Sequence, residues 1–301
     1  MLILIAGITG MVGRPCAEAA LARGNSVRGL GRSPEKLDKG LLQRLERFEK
    51  SKDIYDLAAL DRAVTGVDAV ICAYSYHPEL VVEGQLLLLR AAERAGVKIF
   101  HASSWNYDWS RGQLGQHESY DPFIAFAAHV RLSSAIKPIY AFTGIIPEYF
   151  FYSERDRTWD RGSHTLHYFG DDSSKLRYCT ADDLAAYSVE AVQAPGAADG
   201  GFLRVQSFTA SPADVVAAYR AAHGGSRTAR AQRVGSVEDA ERMLAEARAV
   251  TPATEHEKYV GLSYVVHMAR GTWEFEPVDC ARFPGVKTTT LAEWFAAHPE
   301  L

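Results

Sequence analysis

Cysteine is scarce and scattered in this chain. The four among 301 residues, Cys16, Cys72, Cys179 and Cys280, form no C-x-x-C pair. That spacing argues against a zinc site or a disulfide framework, and no metal site is expected. Long apolar runs are missing as well. Nothing approaches the ~20 residues needed to span a bilayer. The first apolar run, residues 1–5, has no basic region ahead of it and is ended by Gly7, unlike a secretory leader. Excess positive charge is also absent: 33 Lys and Arg stand against 37 Asp and Glu, a net charge of −4. No global field therefore favours nucleic acid or an anionic membrane. These absences leave a cytoplasmic protein with a small-molecule partner as the expectation.

What is present is a regular alternation. At 47% apolar and 23% charged, the chain has the balance of a soluble globular protein. Short apolar runs occur at 2–6, 26–30, 68–72, 98–102 and 138–142. Helical patterns lie between them, most clearly at 14–23 and 79–95, each ending near a glycine, Gly24 or Gly96. Strands alternating with helices predict an α/β fold, a doubly wound parallel sheet. Beyond residue 150 the texture changes. Residues 153–163 read as a charged loop, and strands are expected at 165–169 and 175–179. Helices are expected at 182–193, 212–222, 236–249 and 290–297. The run 202–207 returns to the sheet. The division implied is residues 1–150 as a dinucleotide-binding domain and 151–301 as a smaller α+β substrate lobe.

The stretch "IAGITGMVGRP" (5–15) carries Gly7, Gly10 and Gly13 between the first strand and the first helix. Glycines there suit a pyrophosphate held by backbone amides and the helix dipole. Gly7 permits a sharp turn, Gly10 lets the backbone approach phosphate, and Gly13 allows close packing of helix on strand. Thr9, Met11 and Val12 complete the loop. An NAD-selective site places an acid at the end of the second strand. This chain has "GLGRSPEKL" (29–37) instead, with Arg32 there and Lys36 one turn on. A guanidinium forks onto a 2′-phosphate that a carboxylate would repel, so NADP(H) is the expected cofactor.

The stretches "GITGMVGRP", "GRSPEKL", 52–73, "QLLLLRAAERAGVKIFHASSWNYDW" (85–109) and "RYCTADDLAAYSVEAV" (177–192) together resemble the NmrA-like and isoflavone-reductase-like branch of the atypical short-chain dehydrogenases. The tryptophan-bearing "SSWNYDW" is most similar to fungal members. The resemblance covers about residues 1–193. It implies a Rossmann-like fold and an NADP(H) site. In that site Asp53 and Ile54 flank the adenine, Ala73 and Tyr74 follow the fourth strand, and Ser103 and Ser104 lie near the nicotinamide. It also implies a reductase of a small, aromatic secondary metabolite. Two alternatives stay open, a non-catalytic NADP(H)-sensing regulator and a cofactor-retaining isomerase or cyclase.

The chain departs from the family at the proton donor. Short-chain reductases carry Tyr-x-x-x-Lys, but here Tyr107 precedes Arg111 and Tyr120 precedes Ile124. The isoflavone-reductase-like enzymes use a lysine four residues before an arginine on the helix after the fifth strand. In "FIAFAAHVRLSSA" (123–135), with Arg131 as that arginine, the position holds Ala127, and His129 points to a different face. The remaining candidates are Tyr107 and Asp108 after the fifth strand, with His117 and Tyr120 in the following loop. For any one of them, a place in a polar surface loop with buried aromatic anchors is the stronger expectation. Trp105 and Trp109 share that ambiguity between substrate stacking and core. Asp182 and Asp183 read as a helix start stabilised by negative charge.

Overall fold

The computed structural model describes residues 1–153, 158–224, 227–272 and 274–301. Its centre is a seven-stranded sheet made of β1 (Leu2–Ala6), β2 (Ser26–Gly31), β3 (Arg47–Lys50), β4 (Ala69–Cys72), β5 (Ile99–His101), β6 (Ile139–Phe142) and a late strand, β10 (Gly201–Arg204). The order is β10-β6-β5-β4-β1-β2-β3, and every pairing is parallel. Six of these strands follow the Rossmann order, with the switch point between β1 and β4.

Both faces of the sheet are covered, which explains the unbroken apolar runs. Along β1, Leu4 and Ala6 enter one core while Ile3 and Ile5 enter the other, all fully buried. The first core is roofed by α3 (Leu57–Val64), α4 (Gln85–Arg94) and α5 (Asp121–Ser133). The second is roofed by α1 (Gly13–Ala22), α2 (Lys39–Arg44) and α7 (Ala181–Gln193). The side chain of Thr180 caps α7, accepting from the Asp183 amide at 3.1 Å.

A third apolar cluster lies among later elements. It gathers Phe151 of α6 (Pro147–Tyr152), Trp159 of β7 (Trp159–Asp160), Leu166 of β8 (Thr165–Phe169) and Tyr178 of β9 (Leu176–Tyr178). Ala210 of β11 (Phe208–Ala210), Tyr219 of α8 (Pro212–Ala222) and Trp294 of α11 (Leu291–Ala297) join it. β12 (Arg230–Gly235) extends β8 in parallel, and β11 pairs antiparallel with β9. A small pack of α9 (Val237–Val250) and α10 (Val260–Ala269) closes the list of elements. Among the described residues, no helix is long and apolar enough to cross a membrane.

The expected elements at 165–169, 175–179, 182–193, 212–222, 236–249 and 290–297 form within a residue or two of their bounds. The expected helix 79–95 opens instead as a π-type turn, Leu80–Gly84, before α4 begins. Of the charged loop expected at 153–163, residues 154–157 lie outside the described residues. The edge strand β3, "RFEK", has no apolar run to reveal it. Its Glu49 pairs with Arg47 and Arg62 at the sheet margin.

Candidate functional site

The glycine loop has the geometry its spacing suggests. Gly7 has φ +78°, and a Cβ there would stand 2.4 Å from the Ala73 carbonyl oxygen. A Cβ on Gly13 would stand 2.2 Å from the Gly7 oxygen, so α1 can reach β1 only through glycine. The Gly10 amide donates to the Gly7 oxygen at 2.9 Å. A Cβ on Gly10 would meet that oxygen at 3.2 Å, a tight contact rather than an overlap, and Gly10 itself is exposed. Val12 sits at the N-cap of α1 and packs on the second core.

Thr9, Gly10, Met11 and Arg14 form one wall of a cavity of about 640 Å³. Glu148 and the first turn of α7, through Thr180 and Asp182, form another. Lys287, Trp294 and His298 close it from the C-terminal segment. The N-termini of two helices, α1 and α7, thus open onto one space, favourable to negative charge.

Arg32 and Lys36 are exposed beside the 3-10 turn Pro34–Lys36. Arg14 reaches towards them, with Nη2 3.4 Å from the Lys36 carbonyl oxygen. Sequence reasoning missed Arg14. Its signal was its place, directly after Gly13 in the first turn of the helix. Asp53 is exposed and accepts from the Tyr55 amide at 2.8 Å, while Ile54 packs against Gly84.

At the other side of the switch point, the Ala73 amide donates to Ala6 at 2.7 Å. Tyr74 lies beside Gly7, and burial raises its hydroxyl pKa. Ser103 ties the two strand ends together: its hydroxyl donates to the Tyr74 oxygen at 2.7 Å, and its amide to Gln85 Oε1 at 2.6 Å. Ser104, also expected near the nicotinamide, has its hydroxyl turned inward. Its buried hydroxyl donates to the Ala102 oxygen at 3.1 Å and accepts from the Ala141 amide at 2.8 Å, so it bridges β5 and β6. Over this edge Tyr76 and Tyr149 meet edge to face, with ring centroids 5.9 Å apart.

The four acid–base candidates do not line the cavity. Asp108 is fully buried. Its Oδ2 accepts from Arg204 Nε and Nη2 at 3.1 and 2.9 Å, and its Oδ1 accepts from the amide and hydroxyl of Ser110. It is a structural anchor between the loop and β10. Tyr107 is buried against Phe275, and Tyr120 donates to Asn106 Oδ1 at 2.7 Å. Burial lifts both hydroxyls well above the usual phenol range, away from proton exchange near neutrality. His117 is stacked on Tyr120 at 4.4 Å, and its Nδ1 accepts from the Ser119 amide at 3.2 Å. Burial, with His267 nearby, pushes its pKa down to about 3, so it is neutral at pH 7. Trp109 belongs to the core, stacked on Phe123, and Trp105 donates to Ser188 Oγ at 2.9 Å. Ala127 lies partly buried on α5.

A model of the NmrA-like family matches residues 1–260. The chain belongs to the NmrA-like family. A bifunctional pinoresinol-lariciresinol reductase of Linum perenne is 30% identical to this NmrA-like chain over 207 residues, 64% of the chain and 65% of that protein. An isoflavone reductase of Medicago sativa is 29% identical over 223 residues, 64% of the chain and 66% of that protein. The match therefore spans just under two thirds of these relatives. Among solved structures, the binary complex of leucoanthocyanidin reductase with NADPH from Vitis vinifera has a TM-score of 0.78 at 18% identity, covering 99% of each chain. The NmrA-like fold thus extends beyond the family match, through the C-terminal segment that closes the cavity.

Proposed function

We propose that this NmrA-like protein is an NADP(H)-dependent oxidoreductase that reduces a small aromatic metabolite. The observation that carries the reading is the glycine loop. Gly7 and Gly13 sit where a Cβ would overlap backbone, and the loop opens α1 onto a cavity with Arg14 on its wall. Residues 9–13 hold the pyrophosphate through backbone amides and the helix dipole. Arg32, Arg14 and Lys36 take the 2′-phosphate by charge-assisted hydrogen bonds. Asp53 and Ile54 flank the adenine, while Ala73, Tyr74 and Ser103 border the nicotinamide end. The cofactor supplies a hydride; the protein orients the substrate and manages the proton. Relatives named as reductases of an isoflavone and of pinoresinol and lariciresinol support the aromatic class.

Titration of NADPH and NADH into the wild type, Arg32→Glu and Arg14→Glu tests this. Losing a charge-assisted phosphate contact costs about 1.5–3 kcal/mol, roughly tenfold or more in affinity. NADPH affinity should fall by that factor while NADH affinity holds. Equal loss for both cofactors would remove the 2′-phosphate assignment.

One observation favours a second reading, a non-catalytic NADP(H) sensor. With Arg131 matched to the family's arginine, the resemblance puts Ala127 at the position of the catalytic lysine, and the four loop candidates are buried away from the cavity. Tight NADPH binding without turnover, together with a partner whose binding depends on the cofactor, would select it.

A further inference from the structure

The cavity in front of the glycine loop has a wall to which neither the fold nor the cofactor reading gives a task. Lys287, Thr288 and Thr289 form it, in the strap that leads into α11. The strap is fixed at both ends. Before it, Phe283 and Val286 pack on the second core. After it, Thr290 caps α11. Between these, Thr289 is held by Asp183, a carboxylate only 4% exposed in the first turn of α7. Asp183 Oδ2 accepts from the Thr289 amide at 2.8 Å and Oδ1 from its hydroxyl at 3.1 Å, and Ser207 Oγ also donates to Oδ2. Asp183 therefore does more than start a helix: it ties the C-terminal segment to the cavity.

The two cations on the cavity walls lack counter-ions. Among the described residues, Lys287 makes no hydrogen bond and no ion pair, and the Thr288 hydroxyl makes no hydrogen bond. On the glycine-loop wall, the Arg14 guanidinium meets the Lys36 carbonyl oxygen and, among the described residues, no carboxylate. Two of the cavity's acids are committed elsewhere. Glu148 accepts from the Ala181 amide and from Trp294 Nε1, both at 3.0 Å. Glu293 accepts from the amide and hydroxyl of Thr290, at 2.9 and 2.8 Å, and feels the Lys287 charge without pairing with it. The third acid, Asp182, can only accept, so it suits a ribose hydroxyl beside an anion rather than the anion. Unpaired cations on two walls of one cavity suit an anion of more than one charge lying between them.

Resting on the NADP(H) reading, we propose that the strap is a clasp over the cofactor pyrophosphate. Lys287 Nζ pairs with it from the side away from the glycine loop, and Thr288 donates its hydroxyl to the same group. The pyrophosphate is the partner, not the 2′-phosphate, because Thr9, Gly10 and Met11 line this cavity while Arg32 and Lys36 do not. The dinucleotide is thus held from two sides, by loop amides on one and by a lysine nearly 280 residues later on the other. Its release requires the contact with the strap to break.

Lys287→Gln tests the assignment by titration with NADPH and with NADH. The pyrophosphate is common to both, so both affinities should fall by the same factor, about five- to tenfold, the range of a charge-assisted phosphate contact reduced by solvent screening. The loss should lie in the dissociation rate, and Lys287→Arg should keep most of the affinity. Arg32→Glu is expected to behave differently, since it spares NADH. A readout on the wild type alone is hydrogen exchange: amides of residues 286–290 should exchange more slowly once NADP⁺ is bound. If the wild type binds neither cofactor, the NADP(H) reading falls and the clasp with it. If it binds them but Lys287→Gln keeps both affinities, or loses NADPH alone, or the strap exchanges at the same rate with and without NADP⁺, only the clasp is overturned.

Discussion

Gly7, Gly10 and Gly13 look alike in the sequence but do two different things. Gly7 and Gly13 are demanded by the fold, since a Cβ at either would stand within 2.4 Å of a backbone oxygen. Gly10 is crowded only at 3.2 Å and faces the cavity. Gly13→Ala should therefore lower stability by about 1–3 kcal/mol, the usual penalty of overpacking. Gly10→Val should still unfold cooperatively but lose NADPH affinity. Urea unfolding and cofactor titration of both variants check this pair, and a Gly10→Val protein that binds NADPH normally would contradict it. The loop was legible because glycine spacing between a strand and a helix reports backbone geometry, which is local. His117 and Asp108 misled because a titratable side chain says nothing of its surroundings. One is shut between Tyr120 and Tyr264, and the other is matched by Arg204, 96 residues on.

At the scale of elements, β1, β4, β5 and β6 could be read because both of their faces are buried and their sequences are apolar runs. β3 could not, since it is a polar margin held by Glu49 ion pairs. The loop 105–120 hid its purpose for a related reason: its partners come from β10 and α10. Asp108 fastens it to the last strand of the sheet, and Asn106 Nδ2 donates to Tyr264 of α10 at 3.2 Å. Breaking a buried ion pair from one side costs about 3–5 kcal/mol. With Arg204 partly exposed, Asp108→Asn should cost towards the lower end of that range, about 3 kcal/mol. The folded fraction should keep its full rate of NADPH oxidation. A large rate loss at unchanged stability would return Asp108 to the chemistry.

For the whole molecule, two buried histidines and one half-buried carboxylate make stability depend on pH in one direction. Burial lowers the His101 pKa from 6.5 to about 4, and His117 falls to about 3. Both are neutral in the native state, while the unfolded chain takes up protons below pH 6.5. Their stabilising contribution is thus complete above that pH and is lost as pH falls towards 4 and 3. Burial alone would raise Glu118, but its hydrogen bonds from Arg248 outweigh this and bring it to about 2. Its contribution is lost below pH 4.5, with the same sign. His101 alone accounts for about 3 kcal/mol over its window. The urea midpoint should drop steadily from pH 6.5 to 4, and His101→Leu should flatten the slope. An unchanged slope in that variant would exclude His101 as a source. The sheet order has a further consequence, for the chain as it leaves the ribosome. Of the strands in this sheet β1 is made before the others and lies inside it, between β4 and β2, and the last strand to join, β10, must come from residues 201–204 to cover β6. A nascent chain of 150 residues has all six Rossmann strands but presents β6 as a bare, apolar, parallel edge, the kind of template on which other chains gather. A fragment 1–150 should therefore sediment as aggregate, and lengthening it to residue 210 should restore a soluble fraction.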